Sequence, residues 1–152
     1  MGCDIHTFVE VRRNGRWEFE DQPLFEVEDY YREHYGMTGR SQPFHWRSYT
    51  MFGVLAHMRR NDGPCIAKPR GWPEDLSPEM EEEQDRIEHT PSHLSLAELL
   101  AFDYDQPWIP YPDEPERNTV RAVLGTNFFR ELEVMRTLGT PEDVRVLFYF
   151  DS

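Results

Sequence analysis

Lysine is almost missing from this chain: Lys68 stands alone among sixteen basic residues, and the rest are arginine. Basic residues of any kind are outnumbered by 29 acids, for a net charge of −13. That field repels nucleic-acid backbones and excludes non-specific DNA or RNA binding. Cysteine is scarce as well, with only Cys3 and Cys65, too few for a disulfide framework. Both read as reduced thiols of a cytoplasmic protein. No apolar run approaches the roughly 20 residues needed to cross a bilayer, so no membrane partner is expected. No signal peptide is expected, because Met1-Gly2-Cys3-Asp4 leads into a strand-like run rather than a basic segment and an apolar block, and no myristoylation, since position 6 is His. Glycine-rich phosphate loops, internal repeats and low-complexity blocks are all lacking.

What is present suits one folded domain spanning residues 1–152. Hydrophobic residues make up 38% and aromatics 14%, enough to argue against disorder despite 12 prolines. Arginine forms planar, bidentate contacts with carboxylates and phosphates. Most of these arginines are expected to pair with surface acids, and a few to build an anion pocket.

Residues 4–13 alternate in polarity, Asn14-Gly15 follows, and Trp17 and Phe19 alternate again. Asn-Gly between alternating runs specifies a β-hairpin, because both turn residues tolerate positive φ. Residues 21–47 read mostly as loop. A helix is predicted from Tyr49 to Arg60, capped by Ser48, with Met51, Phe52, Leu55 and Met58 on one face. Residues 68–75 form a stiff loop. Ser77-Pro78-Glu79 starts a second, acidic helix running to about Glu88. Ser95 and Glu98 make a capping box for a third helix through Phe102. Residues 103–114, with Pro107, Pro110 and Pro112, are loop. A last helical region spans about Pro115 to Gly139, divided near Gly125-Thr126-Asn127. Val144 to Phe150 is a strand with bulky residues on both faces, as in a central position. The fold class that follows is α+β: a small antiparallel or mixed sheet, made of the N-terminal hairpin and the C-terminal strand, with helices packed on it.

Four groups of residues carry candidate chemistry. Asp4 and His6 share one strand face, roughly 7 Å apart, and suit a metal ion or acid/base work. Their bland alternative is a turn-capping Asp and a His bonded to backbone. His89 and His93 have helical metal-site spacing, but Pro91 between them disfavours a helix. A loop could still aim His89 at Asp4 and His6. Arg47-Ser48-Tyr49 precedes a helix N-terminus, where free amides favour anions. Arg70-Gly71, with Asp75 and Ser77, offers a second such place. His34, His45 and His57 show no recognisable partners, with His57 placed inside the first long helix. Neither cysteine has the partners of a nucleophile.

Met1-Gly2-Cys3-Asp4-Ile5-His6 resembles the opening of a family of small phage and bacterial proteins. The resemblance continues through Arg47-Ser48-Tyr49-Thr50-Met51-Phe52, through residues 69–79 and 96–100, and ends in residues 143–151, so it spans nearly the whole chain. The motif positions include Asp4, His6, Arg47, Tyr49, Arg70, Asp75 and His89. Where the family tends to carry a His-Ser-His-like stretch, this chain has His89-Thr90-Pro91-Ser92-His93, and only His89 matches. Polar and basic residues at caps and loop ends imply a pocket; the resemblance implies no particular reaction. The start also looks superficially like that of metallophosphoesterases. There the motif follows a strand, whereas here it opens one, so that activity is not carried over.

The function expected from these residues is binding, with hydrolysis as the alternative, of a small anionic, nucleotide-like ligand. Arg47 and Arg70 would hold its phosphate, Tyr49 or Trp72 would stack on its base, and Asp75 would complete the binding set. Asp4, His6 and His89 would supply acid/base chemistry or hold a divalent metal. In a phage setting such a pocket would sequester or degrade a host signalling nucleotide. The rival expectations are a metal-dependent hydrolase, an acidic protein-interaction module and an accessory protein with no pocket.

Overall fold

The computed structural model describes residues 2–39 and 42–152. Strands β1 (Asp4–Arg13) and β2 (Arg16–Phe19) form the expected hairpin, with Asn14 at φ 55° and Gly15 at φ 75°. Strand β3 spans His89–Ser95 and β4 Val144–Asp151. One four-stranded sheet results, in the order β2-β1-β4-β3, with every pairing antiparallel. The sheet is therefore purely antiparallel, and the C-terminal strand is central, as its two bulky faces predict. Helices are α1 (Asp29–Tyr35), α2 (Tyr49–Ala56), α3 (Pro78–Glu83), α4 (Leu96–Ala101), α5 (Val120–Leu124) and α6 (Thr126–Arg136). None is long and apolar enough to cross a membrane.

Alternation decides which side chains meet. Ile5, Val9 and Val11 of β1 join Val144, Val146, Phe148 and Phe150 of β4 and Leu94 of β3 on one face. That face packs with Met51, Phe52 and Leu55 of α2, Leu96 and Leu99 of α4, and Phe128, Leu132 and Met135 of α6. Burying each such side chain contributes about 1.5–3 kcal/mol. The other face carries Asp4, His6, Phe8 and Glu10 opposite Asp151, Tyr149, Leu147 and Arg145. Its middle is covered by Trp72, which meets Phe8 and Tyr149 edge-on or tilted, each at 6.1 Å. The segment leading into α3 closes its far end, where the Ser77 amide donates to Glu10 at 2.7 Å.

Five local expectations need correction. Residues 29–35, read as loop, form α1, although none of its residues is buried. Helix α2 stops at Ala56 rather than Arg60, because His57 turns left-handed at φ 55° and acts as the C-cap. Helix α3 ends at Glu83 and tightens into a 3₁₀ turn over Gln84–Arg86. The His89–His93 segment is an edge strand rather than a loop, with a bulge between His89 and Ser92. Proline is tolerated on an edge, where no neighbour needs its missing N–H. The last helical region starts at Val120, capped by Thr119, and Gly125 does divide it.

Candidate functional site

Asp4 and Asp151 face each other across the first rung of the β1–β4 ladder. Two like charges directly opposite are destabilising, and the structure meets this with three contacts. Arg47, immediately before the Ser48 cap of α2, grips Asp4 with two parallel bonds of 2.8 Å. The Asp4 carboxylate holds the Arg47 guanidinium still further above its usual pKa. The Asp4 amide donates to Asp151 Oδ1 at 3.1 Å, and His6 Nε2 meets Asp151 Oδ2 at 2.6 Å. Gly2 passes so close beneath the Arg47 guanidinium that any Cβ there would collide with it.

The His6 ring stacks on Tyr149, with centroids 4.8 Å apart. Asp151 fixes its Nε2, and among the described residues nothing bonds its Nδ1. Tyr149 donates to Glu83 at 3.1 Å, and burial, with Glu83 adding to it, pushes the phenol well above its usual pKa. In front of this dyad lies a cleft of about 160 Å³, walled by Asp4, His6, Asp151, Tyr31, Tyr35 and His45. The two tyrosines come from α1, which Tyr31 anchors by accepting the Arg47 amide at 3.1 Å.

Of the eight residues expected at one site, Arg47 pairs with Asp4, and Asp4 and His6 share the cleft wall, joined through Asp151. Tyr49 touches the same strand end from inside: its hydroxyl accepts the Cys3 amide at 3.2 Å, and its ring lies under Arg59. Trp72 is one ring removed, reaching His6 only through Tyr149, with its indole N–H on the Phe148 carbonyl at 3.0 Å.

The other three lie elsewhere. His89 is registered against Phe150 and stacks on it, whereas His6 is registered against Tyr149, so the two histidines occupy opposite faces of the sheet. His89 bonds Thr90 and Ser152 instead. Arg70 is chelated by Glu98 at 2.6 and 2.7 Å beside the α4 cap. Asp75 binds Arg145 at 3.0 Å. The expected triad of Asp4, His6 and His89 is therefore not assembled, and both Asp4 oxygens are engaged by Arg47. No group of three or more His, Cys, Asp or Glu that could hold a metal ion occurs among the described residues.

Sequence reasoning overlooked Asp151, Tyr149, Tyr31, Tyr35 and His45. Asp151 had a usable signal, because pairing the last strand antiparallel with the first sets its terminal aspartate beside Asp4 and His6. Tyr31 and Tyr35 had none, since α1 lacks an apolar stripe. Fold and site together define a small α+β protein with a four-stranded antiparallel sheet and a His–Asp pair at one sheet end. Comparison with known family models, curated proteins and solved structures finds no match.

Proposed function

We propose that the cleft binds a small, ring-bearing anionic ligand of the nucleotide class and that His6 acts on it as a general acid or base. The observation that carries this reading is the 2.6 Å His6–Asp151 contact in the cleft wall. A carboxylate bonded to one imidazole nitrogen fixes the ring's tautomer and orientation, and stabilises the imidazolium that forms when the other nitrogen takes a proton. Here that other nitrogen is Nδ1. Drug-sized ligands occupy pockets of roughly 300–1,000 Å³. The cleft, at about 160 Å³, matches a single ring, with the remainder of the ligand extending into solvent. Tyr31 and Tyr35 supply aromatic surface for that ring. Arg47, held on Asp4 of the cleft wall through Nε and Nη2, supplies positive charge beside the cleft for an anionic group.

This reading needs no metal, and it replaces Arg70, Asp75 and His89 with Asp151, Tyr31 and Tyr35. Calorimetric titration with adenosine and guanosine 5′-monophosphates at low salt tests it. Saturable binding is expected, weakened about tenfold or more by His6→Ala and by Arg47→Gln, a loss of about 1.4 kcal/mol each. Arg70→Gln leaves it unchanged. Equal binding by His6→Ala, or no binding of either nucleotide at millimolar concentration, overturns the proposal.

A further inference from the structure

A second cavity, of about 210 Å³, lies between the 26–28 segment, the 45–46 segment and α6. His45 belongs to its wall and to that of the His6 cleft, but the chemistry of the two spaces differs. Among the described residues three carboxylates line this one, Glu26, Glu28 and Glu131, together with the guanidinium of Arg130. Arg130 leans towards Glu26 at 3.6 Å, and both are largely exposed. Glu131 is different: it is 3% exposed, yet only one of its oxygens is bonded, accepting the Phe44 amide at 2.6 Å. Among the described residues its second oxygen has no partner.

A buried carboxylate with a single neutral donor is an incomplete arrangement, because the charged form is costly without a counter-charge. Burial, the largest influence, pushes Glu131 up to about 7. The wall opposite supplies an indole, Trp46, held edge-on by Phe44 and His45 at 6.4 and 5.6 Å. Aromatic faces attract cations. The donors do not converge as metal ligands do, and the volume far exceeds a bare ion.

We infer that this cavity is a binding site for a small primary alkylammonium ion, with Glu131 as counter-ion and Trp46 as its aromatic wall. The inference is independent of the His6 reading. The ammonium donates to the free oxygen of Glu131, its alkyl chain lies against Trp46, and Glu26 and Glu28 add attraction at the mouth. Deprotonation of Glu131 strengthens binding, with Arg130 opposing it and His45 adding repulsion only when protonated.

The test is calorimetric titration with n-butylammonium chloride at pH 8, referenced to equal sodium chloride. Saturable binding is expected, reduced at least tenfold at pH 5.5 and by Glu131→Gln, whose amide oxygen still accepts the Phe44 N–H. Trp46→Leu weakens it several-fold, and His6→Ala leaves it intact. No heat beyond the sodium chloride reference overturns the inference, as does equal affinity in Glu131→Gln. Should that variant fail to fold, Trp46→Leu and Glu28→Gln decide, and unchanged affinity in both overturns it.

Discussion

Arginine 145 shows how this chain uses its many arginines. Its guanidinium is almost enclosed, bonded to Glu10 at 2.8 Å and Asp75 at 3.0 Å, with Trp17 lying 3.9 Å from it. Glu10 is fully buried and spends its other oxygen on the Ser77 amide. The cluster thus ties β1, β4 and the segment before α3 together. Removing one member of a buried pair leaves an uncompensated charge and costs about 3–5 kcal/mol, whereas replacing both with packed apolar groups is often neutral. Arg145→Met is therefore expected to lower stability by about that amount in urea denaturation, and Glu10→Met with Arg145→Met to recover most of it. A double variant as unstable as the single one contradicts this account. Elsewhere the sequence expectation holds, since arginines such as Arg32, Arg60, Arg117 and Arg121 pair with nearby surface acids. Arg47 and Arg70, singled out as anion binders, are paired too, and only Arg47 does so beside a cleft.

At the scale of elements, legibility followed locality. The hairpin, the Ser95–Glu98 capping box, the Ser48, Ser77 and Ser95 caps and the central last strand could all be read from adjacent residues. Asp4 and His6 shared a face because a strand has period 2, and Arg47 reached Asp4 because the α2 cap abuts that strand end. What escaped depends on distant partners. Strand β3 carries a proline and few apolar residues, and only its place beside β4 makes it a strand. Helix α2 looked longer because Met58 continues its periodicity, but the chain reverses at His57 and lays Arg60 over Gly53. A Cβ at position 53 would lie 2.6 Å from the Arg60 carbonyl oxygen. Glycine inside a helix normally costs about 1 kcal/mol relative to alanine. Here the sign reverses: Gly53→Ala is expected to destabilise by about 1–3 kcal/mol through overpacking. A raised melting temperature for Gly53→Ala would refute the close approach.

For the whole molecule, the acids set how stability responds to pH. Asp62, Asp75, Glu98, Asp105 and Asp143 all titrate below their ordinary values. Arginine contacts favour the charged form in each, with Thr140 the larger influence at Asp143 and burial opposing at Asp75 and Glu98. The folded state binds fewer protons there, so these groups lend stability that is lost as pH falls through their folded values. Glu131 acts in the opposite sense. Its value rises from an ordinary 4.5 to about 7, so the folded protein holds a proton that the unfolded chain has released. That contribution is complete below about 4.5 and is lost as pH rises through about 7, a change of roughly 3 kcal/mol. Burial lowers His45 and His93, whose contributions instead grow as pH rises towards 6.5. Self-repulsion at a net charge of −13 adds a destabilisation that grows with pH and that salt screens. The difference between wild type and Glu131→Gln isolates the one group. Urea denaturation from pH 4 to 8 should show wild type losing stability relative to the variant between about 4.5 and 7. Because the carboxyl is buried, that relative loss should persist at 0.5 M sodium chloride. A difference that stays flat across this range, or disappears with salt, would place Glu131 in contact with solvent and remove the counter-ion from the second cavity.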